Sequence, residues 1–331
     1  MDMDRTLVTG GCGFIGSNFV RMLLAKADIE VVNLDLLTYA GNKNNLKGVD
    51  GAKNYSFIKG DIADKKTVKK ALDGVDTVFN FAAESHVDNS IKDAGAFVHT
   101  NVEGTRNIAQ CAMDVGVKRL VQIGTDEVYG SVEEGSSKET DRLEPRNPYS
   151  ACKAASDLLA LSFNTTFGFD VVVTRSSNNY GPYQYPEKAI PLFITNLIEG
   201  QKVPLYGDGK NVRDWLHVED NCTGIITAAQ KGKPGNIYNI GGGNEVQNVD
   251  LTHKILSLLG KGEEMILHVE DRKGHDRRYS LDCSKMRALG WEPRKKFGVG
   301  LRETVDWYAK NEWWWKPLKK KQAMQAKGGK K

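Results

Sequence analysis

The sequence predicts an α/β protein, a doubly wound parallel sheet joined to a smaller α/β domain. Three observations carry this expectation. Short apolar runs alternate with helix-length stretches over the first half of the chain, the order that produces crossovers between parallel strands. These runs are rich in Val, Ile and Phe without polar–apolar alternation, as strands buried on both faces are. After about Ser176 the rhythm changes to turn-rich pieces, and the 331 residues fit two domains at roughly 100–200 residues each.

Candidate strands are Arg5–Thr9, Glu30–Leu34, Tyr55–Lys59, Thr77–Phe81, Arg119–Gly124 and Asp170–Arg175. Between them helices are predicted over Phe14–Ala27, Lys65–Leu72, Asn101–Val115 and Tyr149–Phe167. In the third, Val102, Thr105, Ile108, Ala109, Ala112 and Met113 share one stripe at helical spacing. Beyond Ser176, glycine-rich turns at residues 180–183, 206–210 and 240–244 separate helices expected at Ile190–Glu199, Glu219–Gln230, Asp250–Leu259 and Gly300–Asn311. The expected division is 1–175 for the sheet domain, with returning segments near 219–248, and 176–315 for the second domain interleaved with it. Residues 316–331 are expected to be a basic, disordered end.

Hydrophobic content of 40% and charged content of 27% are globular values and exclude a disordered or collagen-like chain. The formal charge of +4 invites a nucleic-acid partner, but seven Lys fall after residue 315, and the remaining chain carries 39 basic against 42 acidic groups. No nucleic-acid surface is therefore expected on the folded body. Five scattered Cys without a C-x-x-C pair point to reduced thiols and no metal. No apolar run reaches the ~18–20 residues needed to span a bilayer, and no apolar leader follows Met1. A soluble cytoplasmic protein that does not bind membranes is expected.

Gly10-Gly11-Cys12-Gly13-Phe14-Ile15-Gly16 follows a predicted strand and opens a predicted helix. Missing side chains there let the chain turn tightly and let a pyrophosphate approach amides at the helix N-terminus. Asp35 closes the second strand, where a carboxylate can accept both ribose hydroxyls and would repel a 2′-phosphate. This is a Rossmann-type fingerprint, and it favours NAD over NADP. Asp61-Ile62 would either border the adenine or, for the Asp, cap a helix. Phe81-Ala82-Ala83 would allow close approach of a cofactor or simply tight sheet–helix packing.

Tyr149-Ser150-Ala151-Cys152-Lys153 places a phenol and an ammonium one helical turn apart. A base that takes an alcohol proton near neutrality needs a phenol shifted down by ~3 units, about 4 kcal/mol. A nearby cation acts in that direction. With the fingerprint and Asp35, this pair resembles the extended short-chain dehydrogenase/reductases, which implies Thr125 as a third hydroxyl. Asp126 and Glu127 follow it, two carboxylates at a strand end where epimerases of that family carry small or hydroxylated residues. Mutual repulsion can hold one protonated while the other ionises, giving an acid and a base side by side.

Further segments resemble the dTDP-glucose 4,6-dehydratase family: Leu36–Asn42, Ala82–Asp88, Ser177–Gln184, Pro186-Glu187-Lys188, Gly207-Asp208-Gly209, Val212–Leu216 and Gly274–Tyr279. The similarity runs from about residue 5 to Lys316, with Cys12 and Lys273 as departures from the usual Ala and Pro. The resemblance implies a tightly bound, recycled NAD+ touching Gly10, Gly13, Phe14, Ile15, Gly16, Asp35, Thr38, Asp61, Ile62, Phe81, Ala82, Ala83, Ser85, Thr100, Tyr149, Lys153 and Asn179. It implies a nucleotide sugar, dTDP-glucose, held by Ser85, His86, Thr125, Asn178, Lys188, Ala189, Pro204, Tyr206, Arg213, Asn248, Asp271 and His275.

The implied chemistry is C4 oxidation with Tyr149 as base, C5 proton removal by Glu127, and C6 hydroxyl protonation by Asp126. Hydride return to C6, with a proton to C5, then gives a 4-keto-6-deoxy sugar. Thr125 and Lys153 would hold the sugar and cofactor and tune Tyr149. The family also implies a homodimer through the helices at 101–115 and 149–167, the second apolar on more than one face. A 4-epimerase or decarboxylase, the same dehydration on UDP-glucose, and a catalytically silent NAD-binding regulator are the alternatives. The adjacent carboxylates argue against the first two chemistries, because re-reduction at C4 needs no acid at C6.

Overall fold

The computed structural model describes residues 3–26, 28–271 and 275–328, so Lys273 and Gly274 lie outside the described residues. Strand and helix alternate from the start: β1 (Arg5–Thr9), α1 (Phe14–Leu24), β2 (Glu30–Asp35), β3 (Tyr55–Lys59), α2 (Lys65–Ala71) and β4 (Thr77–Asn80). Short helices α3 (Val87–Lys92) and α4 (Gly95–Phe97) lead through a π-helical turn (Val98–Gly104) into α5 (Thr105–Asp114). Then come β5 (Arg119–Thr125), α6 (Pro148–Phe167) and β6 (Val171–Ser176). The second half adds β7 (Asn178–Tyr180), α7 (Ala189–Ile198), β8 (Val203–Tyr206), β9 (Val212–His217), α8 (Val218–Lys231) and β10 (Asn236–Ile240). It closes with β11 (Glu245–Gln247), α9 (Asn248–Leu258), β12 (Ile266–Val269), α10 (Ser284–Ala288), α11 (Phe297–Lys310) and α12 (Glu312–Gly328).

Seven strands form one parallel sheet in the order β3-β2-β1-β4-β5-β6-β10. The order reverses between β1 and β4, which opens a crevice at their carboxyl ends. Leu7, Val32, Val78, Leu120 and Val171 face one apolar layer, and Val8, Val31, Phe79, Val121 and Val172 the other, so both faces are buried as the apolar runs predict. A small sheet (β11-β9-β7), a strand pair (β12-β8) and a third apolar cluster build the second half.

Three features differ from the sequence expectation. β10, not named among the expected strands although it falls within the stretch 219–248 expected to return, completes the main sheet beside β6. The helix expected at Asn101–Val115 starts earlier, as a π-helical turn. Gly104 lies there against Ile62, and a Cβ on it would stand 2.5 Å from Ile62 Cδ1. The basic end expected to be disordered is instead helical as far as Gly328. Tertiary contacts explain that: Trp314 and Trp315 are buried in the third cluster, and the Lys319 ammonium bonds Glu199 at 2.6 Å and Asn196 at 2.8 Å on or beside α7.

Helix α6 owes its start to local chemistry. The Asn147 side chain accepts from the Ser150 amide at 2.9 Å, the Ser150 hydroxyl returns the contact to the Asn147 amide, and Pro148 occupies the first turn. Gly168 ends it with φ of +70°. This fixes Tyr149 in the first turn, facing the end of β5.

Candidate active site

A cleft opens at the β1/β4 crossover. Gly10, Gly13, Phe14, Ile15, Gly16, Asp35, Thr38, Asp61, Ile62, Phe81, Ala82, Ala83, Ser85, Thr100, Tyr149 and Lys153 line it, as do Lys188 and Trp314. Asn179 does not; it sits on β7 with its amide nitrogen donating to the Ser177 carbonyl at 2.9 Å. Gly10 has φ of +66°, and a Cβ there would come 2.7 Å from the Ala82 amide nitrogen. A Cβ on Gly16 would collide with the Gly10 carbonyl. The turn is thus closed by backbone-on-backbone contact, leaving its amide side for a ligand.

Asp35 accepts from the Cys12 amide at 2.8 Å with one oxygen and from the Leu37 amide at 2.7 Å with the other. Burial raises its pKa, opposed by these two bonds. Each oxygen keeps a lone pair for a ribose hydroxyl. Asp61 accepts from the Ala63 amide at 2.8 Å and faces His99 Nε2 at 3.0 Å, so it caps a turn and borders the cleft at once. These groups fit a dinucleotide: glycine turn, ribose carboxylate and small residues at the end of β4 share one wall. Gly10→Ala is expected to cost about 1–2 kcal/mol from its left-handed conformation alone. It should also weaken NAD binding at least tenfold, as titration calorimetry and thermal unfolding would measure.

Thr125 ends β5 and caps the short 3₁₀ turn Asp126–Tyr129, its hydroxyl accepting from the Glu127 amide at 3.3 Å. It donates to Asp126 Oδ1, also at 3.3 Å. Asp126 is 3% exposed and its Oδ2 has no hydrogen-bond partner. Burial pushes its pKa well above the carboxylate range, the Glu127 charge adds to this, and Arg213 opposes it. Glu127 is half-buried. The raised Asp126 carboxyl is thus suited to stay protonated beside Glu127.

Tyr149 is buried, and its surroundings do not give the downward shift that neutral-pH base chemistry asks for. Burial raises the phenol pKa, Glu127 raises it further, and the hydrogen bond with Thr125 pulls the other way. The Lys153 ammonium donates to the Ile123 carbonyl. Burial lowers its pKa, and Asp157 one turn on opposes this. Asp157 and Arg175 form an ion pair at 2.9 Å with 0% and 1% side-chain exposure. Removing the carboxylate leaves a buried guanidinium uncompensated. Asp157→Ala is therefore expected to cost about 3–5 kcal/mol in denaturant unfolding.

Of the twelve residues carried over for the nucleotide sugar, Ser85 and Lys188 line this cleft and the other ten do not, and nine of the twelve lie in the second half. Lys188 donates to the Ser85 carbonyl at 2.9 Å, and His86 Nε2 faces Glu187 at 3.6 Å. Asn178 lies on β7 with its carbonyl oxygen buried and unpartnered. Ala189 opens α7, Pro204 and Tyr206 lie on β8, and Asn248 opens α9. Arg213 on β9 donates to the Asp276 carbonyl at 2.9 Å and packs over the Tyr279 ring at 4.3 Å. Asp271 and His275 pair at 2.6 Å. Sequence reasoning missed Asn45 and Trp314, which also line the cleft and stand in no recognised motif. It left Tyr39, Glu84 and Glu187 without a role, although the quoted motifs contain them.

Comparison with known proteins shows the family and the fold. Residues 7–304 match the family described as GDP-mannose 4,6 dehydratase. A dTDP-glucose 4,6-dehydratase of Streptomyces niveus is 51% identical over 321 residues, 95% of this chain and 96% of that one. The crystal structure of DesIV, a dTDP-glucose 4,6-dehydratase from Streptomyces venezuelae with NAD bound, has a TM-score of 0.93 at 54% identity, covering 95% of this chain and 99% of that one. UDP-glucose 4-epimerase from Thermus thermophilus has a TM-score of 0.85 at 31% identity, covering 92% and 99%. The chain belongs to the GDP-mannose 4,6 dehydratase family and shares its Rossmann-type fold.

Proposed function

We propose that the chain is a hydro-lyase that converts dTDP-glucose to dTDP-4-keto-6-deoxyglucose, with NAD+ recycled. The observation that carries this is Asp126, buried with one unpartnered oxygen and a raised pKa, directly before Glu127 at the end of β5. Bound NAD+ supplies the reversible hydride acceptor for C4 and donor for C6. Gly10, Gly13, Gly16 and Asp35 would hold it. Tyr149 takes the C4 hydroxyl proton; Lys153, whose ammonium donates to the Ile123 carbonyl, does not lower the phenol here, so the downward shift is expected only with cofactor and substrate bound. The resulting ketone acidifies C5, whose proton passes to Glu127, while Asp126 protonates the departing C6 hydroxyl; a proton returns to C5 from Glu127 as C6 is reduced.

Arg213 and Lys188 supply charge for the diphosphate, with Ser85, His86, Thr125, Asn178, Ala189, Pro204, Tyr206, Asn248, Asp271 and His275 around the rest of the nucleotide sugar. The near relatives named for dTDP-glucose support thymidine over uridine. No helix among the described residues is long and apolar enough to cross a membrane. The five cysteines are buried free thiols, which supports the reducing cytoplasm as the setting. Leu158 on α6 is 57% exposed and Val98 before α5 is 50% exposed, which supports a homodimer through these helices.

Incubation with dTDP-glucose and no reductant should yield a 4-keto-6-deoxy product. Formation of the galactose epimer instead would overturn the dehydratase assignment, and faster turnover of UDP-glucose would overturn the nucleotide.

A further inference from the structure

The C-terminal helix reaches the cofactor cleft through one buried side chain. Trp314 is 2% exposed, lines the cleft, and donates its indole N–H to Asn45 Oδ1 at 2.7 Å. Asn45 is itself 1% exposed. Its amide nitrogen donates to the Cys12 carbonyl at 2.9 Å and to the Gly13 carbonyl at 3.4 Å, inside the glycine-rich turn.

An indole N–H can only donate, so it fixes which end of the Asn45 amide faces it. The oxygen must point at Trp314, and the NH₂ is then committed to the turn. The two carbonyls demand the same orientation; without the indole the buried Asn45 oxygen has no donor, and the side chain loses the contact that holds it against the turn. Trp314 is held in turn by edge contacts with Trp307 at 5.2 Å and Tyr183 at 5.8 Å. Tyr183 has φ of +67°, a conformation that a non-glycine residue keeps only where packing enforces it.

We propose that Trp314 is a positioning residue that acts through Asn45: the two form a latch from α12 to the glycine-rich turn and set how slowly NAD leaves the cleft. The proposal rests on the reading above that the cleft holds NAD. Its chemical purpose follows from a reaction with no net redox change, whose cycle fails if the cofactor departs midway.

The test is exchange of bound NAD against excess isotopically labelled NAD, followed by mass spectrometry on the full chain. Trp314→Phe keeps an aromatic ring and removes the donor. Asn45→Asp keeps the acceptor for the indole but turns an oxygen on the Cys12 and Gly13 carbonyls. Each should speed exchange on the order of five- to tenfold, the worth of one buried hydrogen bond. The double variant should exchange no faster than the faster single.

Trp315→Phe removes a comparable indole that donates to the Tyr308 carbonyl at 2.8 Å, away from the cleft lining, and should leave exchange unchanged. The latch is overturned by wild-type exchange in Trp314→Phe, by effects that multiply in the double variant, or by equal acceleration in Trp315→Phe. A wild-type chain that binds no NAD overturns the cofactor reading itself, which is a distinct result.

Discussion

Tyr149→Phe is expected to lower turnover by about 10²–10⁴-fold, the usual contribution of a positioned proton acceptor. The substitution removes one oxygen from a ring that packs against Phe97 at 6.3 Å between centroids, so the fold should survive. It also deletes a buried hydroxyl, and Thr125 loses one of its hydrogen-bond partners while keeping those with Asp126 and Glu127. Binding of NAD should change little, since the glycine turn and Asp35 are untouched. The decisive measurement is single-turnover formation of reduced cofactor with dTDP-glucose: it should slow by the same factor as overall turnover, because C4 oxidation comes first. A variant that reduces the cofactor at the wild-type rate would remove Tyr149 from the base role.

Asp126→Asn and Glu127→Gln together should leave that first step in place and block the second. The double variant is expected to bind NAD, accumulate partly reduced cofactor with substrate, and eliminate water at least about 10²-fold more slowly. Unchanged elimination would refute both roles. The single Asp126→Asn carries a further expectation in stability. A carboxyl whose folded pKa lies above its unfolded value binds more protons when folded, so stability falls as pH rises. The fall begins near the ordinary carboxylate value of about 4 and ends at the raised value. At neutral pH the wild-type chain bears that cost whether folded Asp126 keeps its proton or ionises, and Asn does not. Thermal unfolding across pH should therefore show Asp126→Asn as the more stable and less active protein. Elimination by the wild type should fade as pH rises through the raised value, because only the protonated acid can donate.

Much of this was legible because it is local. The six strands read from apolar runs match β1 to β6 to within one residue at each end, since strands buried on both faces need no alternation to betray them. The start of α6 is written in Asn147, Pro148 and Ser150, and the glycine turn in its spacing. What could not be read depends on distant partners. β10 is five residues, Asn236–Ile240, and becomes a strand because β6 offers an open edge. The π-helical turn ends at Gly104, where Ile62 leaves no room for a Cβ, a contact 42 residues distant in sequence. Lys-rich α12 resembles a solvated end until Trp314 and Trp315 find the third apolar cluster. Asn45 carries no local mark, since its role exists only between Cys12 and Trp314.

The position of β10 has a consequence for how the chain is made. Its pairing partner β6 ends at Ser176, yet β10 begins sixty residues later, at Asn236. A nascent or truncated chain ending near residue 175 therefore exposes the β6 edge, a ready template for another chain. Synthesis at roughly 5–20 residues per second leaves that edge open for several seconds or more while β7 to β9 emerge. The sheet is closed only by a segment that has already passed through the second half. The two halves are thereby bound into one cooperative folding event, with the last strand of the main sheet added only after the second half has been made.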